Sequence, residues 1–280
     1  MRAELVAWLG TVDPALEIDV AGATEALLDV LHGRITAGNL AVYFAYILRN
    51  VVRYGECTLY IFRRYLGRYR RGCARHTELY HMAQSHVSAL FSLRSFPPIA
   101  RLEARCHASG IVGTAIAKMV KSVRATAHEG AMDGGEYIGF RNGVYDLCGD
   151  RFIPNDFVHY SVLVSMSTGY DYVTAEACPQ ETIDKIKEFY RTLFSDPSDP
   201  SDANLAAAWR FSGSLLTAER KCAVAFVGGG DSGKTAFTNL MHRTLGDYSA
   251  GMFLFRFRRS AHCSESPLRR MSTFHDANQI

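Results

Sequence analysis

One eight-residue motif constrains this chain more than any other feature of its sequence. Residues 228–235 read Gly-Gly-Gly-Asp-Ser-Gly-Lys-Thr and match the pattern G-x-x-x-x-G-K-[S/T]. An apolar run, residues 223–227, precedes the motif, and residues 236–241 follow it with apolar side chains at helical spacing. The sequence therefore predicts a buried parallel strand, a tight glycine-rich loop and a helix, in that order.

The residues of the motif are of types that bind the phosphate groups of a nucleotide. Glycines let the backbone curl so that successive N–H groups point at phosphate oxygens, at the positive end of a helix dipole. We expect Lys234 to bridge the β- and γ-phosphates of ATP and Thr235 to place its hydroxyl on Mg²⁺. The alternative is a glycine-rich turn that matches the pattern by chance, which the flanking apolar segments disfavour. The expected nucleotide-binding residues are Gly228, Gly229, Gly230, Asp231, Ser232, Gly233, Lys234 and Thr235.

Hydrolysis of a bound nucleotide needs a second element, an acidic residue that holds Mg²⁺ and orients water. The late candidates are Asp247, Glu265 and Asp276. Asp247 lies where the helix after the motif is expected to end, and we expect a structural role for it. Asp276 ends a semi-apolar stretch, residues 270–276, that could form a strand, and the alternative for it is a solvated side chain with no role.

The rest of the chain alternates between helical and strand-like patterns. Apolar spacing predicts helices over residues 23–31, 41–48, 77–93, 98–108, 112–126, 182–194 and 203–214. Aromatic and β-branched residues predict two short strands within 57–70, around a turn near Gly67. Further short strands are predicted over residues 137–140, 144–147 and 151–153, with turns at Asn142-Gly143 and Gly149-Asp150.

Composition excludes several classes of protein. The 280 residues are 48% hydrophobic with a net charge of only +3, which argues against intrinsic disorder. The longest apolar stretches fall far short of the roughly 20 residues that span a bilayer, and the N-terminus lacks the features of a secretory signal. The seven cysteines include no Cys-x-x-Cys pair, so neither a zinc ribbon nor a disulfide framework is indicated. We therefore expect a soluble intracellular protein, with no membrane partner.

Several segments outside the motif carry patterns of their own. They are Phe140-Arg141-Asn142-Gly143-Val144-Tyr145-Asp146-Leu147, followed by Gly149, Phe152 and Pro154; Tyr170-Asp171-Tyr172 with Cys178-Pro179; Phe189, Phe194 and Trp209 with Ser212-Gly213-Ser214-Leu215-Leu216-Thr217; and Thr238-Asn239-Leu240 with Leu245-Gly246-Asp247-Tyr248. Together with residues 228–235, these segments resemble the poxvirus-type NTPases and primase-helicases of large DNA viruses, which have phage and plasmid relatives. The family patterns that they match are N-G-x-x-D-L…G, Y-D-P…C-P, L-x-x-x-x-G-Y-x-L-T-G and L-G-D-Y, in the same order over about residues 135–250.

This resemblance implies a fold and an activity. Members of the family are superfamily 3 helicases, hexameric AAA+-like P-loop ATPases that unwind DNA. The family's acidic motif lies on a strand that begins with a basic residue about six positions before the acid, as Arg270 precedes Asp276. The resemblance therefore implies that Asp276 is the carboxylate for Mg²⁺ and for the attacking water, although most members have Glu there.

The chain also departs from the family pattern. Its first 90 residues are too few and too helical for the primase domain with which many relatives begin, so no primase activity is expected. The polar sensor residue and the arginine finger of the family lie beyond the position of Ile280. None of the five arginines between Arg256 and Arg270 is placed where a finger belongs. We therefore expect an ATPase core that is incomplete at its C-terminus.

Two arginine-rich clusters are candidate nucleic-acid surfaces. Seven arginines between residues 53 and 75 are interleaved with Tyr54, Tyr60, Tyr65 and Tyr69, against the single acid Glu56. Arginines with aromatics can neutralise phosphates and stack on bases, and the alternative is an exposed basic hairpin whose tyrosines pack inward. The second cluster, in which Phe255 and Phe257 alternate with arginines, has core packing as its alternative; its arginines are Arg256, Arg258 and Arg259.

The sequence thus predicts an α+β N-terminal region followed by a truncated α/β P-loop AAA+-like ATPase core. The expected divisions are residues 1–90, mostly helical with a basic hairpin; residues 91–215, a domain of the type that precedes the ATPase in viral and phage primase-helicases; and residues 216–280, the P-loop core. The expected activity is ATP hydrolysis that drives DNA unwinding in viral or phage replication.

The expected partners are single-stranded or forked DNA, other copies of the chain in a ring, a hexamer by resemblance, and other replication proteins. A viral chain is expected in the host cell. Two alternatives stay open. The first is a catalytically incomplete fragment that only binds nucleotide or DNA or only oligomerises. The second is a small-molecule kinase, which shares the P-loop but not the upstream Asn-Gly and Leu-Gly-Asp-Tyr segments.

Overall fold

A computed structural model describes eleven stretches of the chain, which form two compact units. The described residues are 1–11, 18–55, 58–72, 76–93, 95–126, 132–195, 198, 201–216, 224–227, 232–253 and 271–275. Unit 1 comprises Met1–Arg64, Arg68–Ala131 and His159–Val162, and unit 2 comprises Tyr65–Gly67, Met132–Val158 and Leu163–Ile280. The division into 1–90, 91–215 and 216–280 stays a prediction.

Unit 1 is mainly helical. Its helices are α1 (Arg2–Thr11), α2 (Val20–His32), α3 (Ala37–Ile47), α4 (Thr77–Leu90), α5 (Pro97–Ala108) and α6 (Ile111–Thr126). Side chains just before two of them satisfy first-turn N–H groups: Asp19 accepts from the Gly22 amide at 3.0 Å and Thr36 from the Asn39 amide at 3.2 Å. The sequence pattern located α2 to α6 correctly because their apolar residues recur at helical spacing.

A three-stranded antiparallel sheet completes unit 1. It consists of β1 (Val52–Gly55), β2 (Thr58–Arg63) and β3 (Arg68–Arg71), in that order. The two strands predicted within 57–70 are confirmed as β2 and β3, whereas β1 was not predicted. Leu59 and Ile61 of β2 are buried in the helical core, and their neighbours on the opposite face of the strand are only partly covered. This alternation is the period of a strand with one buried face.

The core of unit 1 contains a contact between two buried polar side chains. The Tyr43 hydroxyl and His86 Nε2 lie 2.6 Å apart, and both residues are buried. Trp8 covers the imidazole, with ring centroids 5.1 Å apart. Burial lowers the pKa of His86 to about 4 and raises that of Tyr43, because a charge on either ring would be poorly solvated.

In its described residues, unit 2 contains a small meander, three α-helices and a parallel pair of strands. The meander is the antiparallel sheet of β4 (Tyr137–Phe140), β5 (Gly143–Asp146) and β6 (Arg151–Pro154). The helices are α7 (Gln180–Phe194), α8 (Ala203–Ser214) and α9 (Lys234–Leu245). Strands β7 (Ser249–Phe253) and β8 (Met271–His275) pair in parallel. The expected mixture of helix and sheet is confirmed, and the P-loop ATPase core remains a proposal.

The prediction of a strand over residues 223–227 is wrong for residues 224–227, the part of this range that the structure describes. Residues 224–227 form no strand, and Val227 is 94% exposed. Phe226 alone packs inward, against the rings of Phe194, Phe211 and Phe237. An apolar run becomes a strand only when a neighbouring strand satisfies its backbone, and in the described part of the chain no strand pairs with residues 224–227.

The described helices are short compared with the thickness of a bilayer. The longest of them, α6, has 16 residues. A membrane-spanning helix needs about 20 mostly apolar residues. Within the described residues, no helix combines the length and the apolar character needed to cross a membrane.

The Tyr43–His86 pair predicts how the stability of unit 1 depends on pH. Between about pH 6.5, where an unfolded histidine titrates, and about pH 4, the unfolded chain binds more protons at position 86 than the folded one. The free energy of unfolding should therefore fall as the pH is lowered through this window. Urea unfolding at a series of pH values measures the slope.

A double variant isolates this pair from the carboxylates that titrate near pH 4. Tyr43→Phe with His86→Leu removes both polar partners together and should flatten the slope. His81→Gln, which changes an exposed histidine on the same helix, should leave the slope as it is. The account of this pair is wrong if the double variant and the unaltered protein lose stability equally over the window.

Candidate functional site

Helix α9 begins directly after a glycine whose conformation few other residues could adopt. Gly233 has φ +77° and is the residue before the first turn. A Cβ at this position would clash with Cδ2 of Leu193 on α7. The left-handed backbone therefore favours glycine here, and the Leu193 side chain would have to shift to accommodate a Cβ. Gly233 is the second fixed glycine of the G-x-x-x-x-G-K-[S/T] pattern. Its backbone conformation explains the glycine at this position of the pattern.

The first turn of α9 carries the two side chains predicted to act on a nucleotide. Lys234 is half-buried, and its Nζ donates a hydrogen bond of 2.8 Å to Ser232 Oγ. The Thr235 side chain is exposed. The N-terminus of a helix attracts anions because its first N–H groups point along the axis and carry the positive end of the dipole. Ser232, Gly233, Lys234 and Thr235 therefore form the cationic N-terminal end of α9.

Helix α9 is held in place by an aromatic cluster around Phe237. Phe237 is buried, and its ring contacts those of Tyr190 and Phe194 on α7 and Phe211 on α8 at centroid distances of 5.7, 5.0 and 6.5 Å. Phe226 adds a fourth ring at 5.2 Å. Met241 and Leu245 continue the buried face of the helix at intervals of four residues. The packing of Phe237, about one turn further along the helix, thus positions the first turn of α9.

The C-terminal end of α9 is tied to the segment after the meander. Gly246, with φ +53°, follows the helix, and a Cβ on it would lie 2.4 Å from the Thr168 carbonyl oxygen. The Asp247 amide donates to the Ser167 carbonyl at 2.9 Å, and the Asp247 carboxylate accepts from the Ser167 amide at 3.1 Å. The expected structural role of Asp247 agrees with this reciprocal pair.

Tyr248 connects the same end of α9 to β4. Its hydroxyl accepts a hydrogen bond of 2.8 Å from the Gly139 amide and donates one of 3.3 Å to the Met166 carbonyl. Tyr170 adds a bond of 2.7 Å from its hydroxyl to the Thr244 carbonyl. The Leu-Gly-Asp-Tyr segment therefore joins α9 to the meander through bonds that span more than 70 residues of sequence.

The Asn-Gly segment of the meander has a structural role of its own. Asn142 accepts from the Tyr172 amide at 2.8 Å and donates to the Tyr172 carbonyl at 3.2 Å. Arg141 forms two bonds of 2.8 Å with the Asp171 carboxylate, and these bonds hold the pKa of Asp171 below its usual range. Asp146 accepts from the amides that turn the chain into β6. None of these contacts involves the first turn of α9.

Asp133 is a residue that sequence reasoning missed. Its carboxylate accepts from the Ser165 and Met166 amides at 2.8 and 3.0 Å and from the Ser165 hydroxyl at 2.5 Å. These bonds hold residues 165–167 in place, and the same segment forms hydrogen bonds with Asp247 and Tyr248. An aspartate in a Gly-rich turn carries no local signal of a partner about 30 residues away, so no sequence pattern could have identified it.

Several predicted site residues lie outside the described part of the chain. These are Gly228, Gly229, Gly230 and Asp231 of the motif, together with Asp276, Glu265, Arg256, Arg258 and Arg259. Strand β8 covers residues 271–275, so Asp276 directly follows a strand in the sequence. Strand β7, which follows α9, pairs with β8 in parallel, with Phe253 opposite His275 at the end nearest to Asp276 in the sequence.

Among the described residues, Thr235 is the candidate ligand for Mg²⁺, and no larger group of metal-binding side chains is present. Among them, no group of three or more histidine, cysteine, aspartate or glutamate side chains could hold a metal ion. Mg²⁺ at nucleotide sites keeps several waters and binds mainly to phosphate oxygens, with one or two protein ligands. An exposed threonine hydroxyl one residue after Lys234 is compatible with that arrangement.

The arginine-rich sheet of unit 1 has features of a nucleic-acid surface and also of a basic hairpin whose tyrosines pack inward. Tyr69 packs inward and donates to the Tyr160 carbonyl at 2.7 Å, and Arg63 forms an ion pair with Glu78. Arg64, Arg70 and Arg71 are exposed. Part of this cluster is therefore structural, whereas three of its arginines lie at the surface.

Comparisons with known proteins add no relative. A scan against protein-family models matches no family, and a search among curated proteins matches no protein. The resemblance to viral and phage helicases therefore rests on the residues quoted from the sequence and stays a prediction.

The Tyr248 hydroxyl provides a test of how unit 2 is held together. Tyr248→Phe removes one oxygen and leaves the buried Gly139 N–H without its acceptor. We expect the free energy of unfolding to fall by about 1–3 kcal/mol, the usual effect of an unsatisfied buried donor. Urea unfolding followed by fluorescence measures it. Tyr65→Phe, at a tyrosine that is 68% exposed, is the matched control, and an equal effect of both variants would disprove this role.

Proposed function

We propose that this chain binds a nucleoside triphosphate with Mg²⁺ at the first turn of α9 and hydrolyses it. The observation that carries the proposal is the start of α9, where Gly233 in a left-handed conformation leads directly into Lys234 and Thr235. A glycine favoured by geometry, followed by a cation and a hydroxyl at the N-terminus of a packed helix, suits a phosphate chain better than any other ligand class.

Each residue of this site has a proposed role. The N–H groups of the loop and the Lys234 ammonium neutralise the β- and γ-phosphates, and Thr235 holds Mg²⁺. The bound metal ion would neutralise charge on the phosphate oxygens. Asp276 orients a water whose oxygen adds to the γ-phosphorus while the bond to the bridging oxygen breaks. The products are a nucleoside diphosphate, inorganic phosphate and the proton that the water releases.

The finer part of the proposal follows from the family resemblance. Hydrolysis would drive the unwinding of DNA in viral or phage replication, in a ring of copies of this chain that works with other replication proteins. The exposed Arg64, Arg70 and Arg71 support contact with DNA, since arginine pairs well with phosphate.

A second candidate is a module that binds nucleotide or DNA, or oligomerises, without turnover. One observation favours it. Residues 224–227 do not form the strand that normally leads into a phosphate-binding loop, and Val227 is exposed. A loop without that strand could hold a nucleotide while leaving the attacking water and its base unaligned.

Removal of the Lys234 ammonium tests nucleotide binding itself. Lys234→Ala should weaken ATP binding by at least about a hundredfold, since charge-assisted hydrogen bonds to phosphate contribute about 1.5–3 kcal/mol each. Equilibrium titration with ATP and Mg²⁺ measures the affinity. Lys118→Ala, at an exposed lysine of α6, should bind ATP as the unaltered protein does. Equal affinity in the Lys234 and Lys118 variants would rule out this site.

Turnover separates the two candidate functions. If the chain is an ATPase, phosphate release should be measurable at steady state and should rise when single-stranded DNA is added. Asp276→Asn should abolish release while ATP still binds, because the carboxylate acts on water and metal rather than on affinity. ATP binding with no phosphate release at high protein concentration, with or without DNA, would instead support the second candidate.

A further inference from the structure

Two aromatic rings of unit 2 are stacked in a way that the phosphate site does not explain. The rings of Tyr190 on α7 and Trp209 on α8 have centroids 3.8 Å apart and planes only 7° apart. Tyr190 is buried and its hydroxyl is 2.7 Å from Ser212 Oγ. Tyr190 also contacts Phe237 edge-on at 5.7 Å. The tyrosine is therefore fixed by its surroundings and forms a rigid support under the indole.

The indole itself is not covered on both sides. Trp209 is 41% exposed although Tyr190 covers one of its faces. With one face against Tyr190, the opposite face and the outer edge of the ring are the parts left to account for this exposure. A planar aromatic surface that is braced from behind and open in front suits a second planar ring, because stacked rings prefer parallel, offset contact.

This surface lies close to the first turn of α9. Leu193, on the same helix as Tyr190, is the residue that approaches Gly233. Tyr190 precedes Leu193 by three residues, which is about 4.5 Å along a helix. Trp209 stacks directly on Tyr190, so its indole is separated from the Leu193–Gly233 contact by three residues of helix and one ring-to-ring spacing. That separation is within the reach of a ribose and base attached to phosphates at Gly233 and Lys234.

We propose that the open face of Trp209 binds the base of the nucleotide whose phosphates lie at the first turn of α9. This inference rests on the proposed function, because it needs a nucleotide at that turn. Stacking accepts any base with a π-face and favours the larger purine rings. The site therefore takes purine nucleoside triphosphates and distinguishes poorly between ATP and GTP.

The chain is well suited to a direct test because it has only two tryptophans, Trp8 and Trp209. Trp8→Phe leaves Trp209 as the sole tryptophan, and Trp8 lies against the core of unit 1. In this variant, ATP with Mg²⁺ should quench the Trp209 emission in a saturable way. Tripolyphosphate, which has the phosphates but no base, should compete with ATP without quenching. Free N-acetyltryptophanamide corrects for absorption of light by ATP.

An affinity measurement supports the fluorescence result. Trp209→Ala should raise the dissociation constant of ATP about tenfold, the effect of losing one base–aromatic stack, and leave that of tripolyphosphate unchanged. Trp209→Phe keeps a stacking ring and should retain most of the ATP affinity. The Phe variant and the quenching experiment remain informative if the Ala variant does not fold.

The outcomes distinguish this inference from the function on which it rests. If ATP and tripolyphosphate both bind, but ATP leaves the emission of Trp209 unchanged and Trp209→Ala does not alter ATP affinity, the base lies elsewhere and only this inference is overturned. If neither ligand binds, the proposed function and the inference fall together. If an oligothymidylate quenches Trp209 and ATP does not, the surface serves a nucleic-acid strand and the inference is overturned.

Discussion

The packing of helix α9 through Phe237 is the interaction on which the candidate site depends. Four rings from three separate segments surround this side chain. Burial of a phenylalanine contributes about 1.5–3 kcal/mol, and aromatic pairs add about 0.5–1.5 kcal/mol each. An isolated helix of 12 residues is only marginally stable in water. Without this cluster, the turn that carries Lys234 and Thr235 would have no fixed position.

The two ends of α9 serve different purposes. At the N-terminus, Gly233 and Leu193 bring α7 against the turn that is proposed to hold phosphates. At the C-terminus, Asp247 and Tyr248 attach the helix to the meander through backbone hydrogen bonds. The segments outside the motif that resemble the helicase family therefore act here as scaffold, and the proposed chemistry is assigned to the few residues around Gly233.

Local signals in the sequence located most elements, and long-range partners could not be read from it. Helices α2 to α9 and the Asn142-Gly143 turn were predicted because their signals lie within a few neighbouring residues, whereas α1 was not predicted. Residues 224–227 were predicted as a strand from their apolar character alone, but a strand also needs a paired neighbour. The contacts of Asp133 and Tyr248 reach across about 30 and 110 residues, and no local pattern specifies them.

Amide hydrogen exchange across the first turn of α9 tests the central claim most directly. If a nucleotide binds there, saturating ATP with Mg²⁺ should slow exchange at residues 232–236, because their N–H groups become donors to phosphate oxygens. The Lys234→Ala variant, treated in the same way, should show no such protection. The claim would be contradicted if ATP binds to the unaltered protein while exchange at residues 232–236 stays the same.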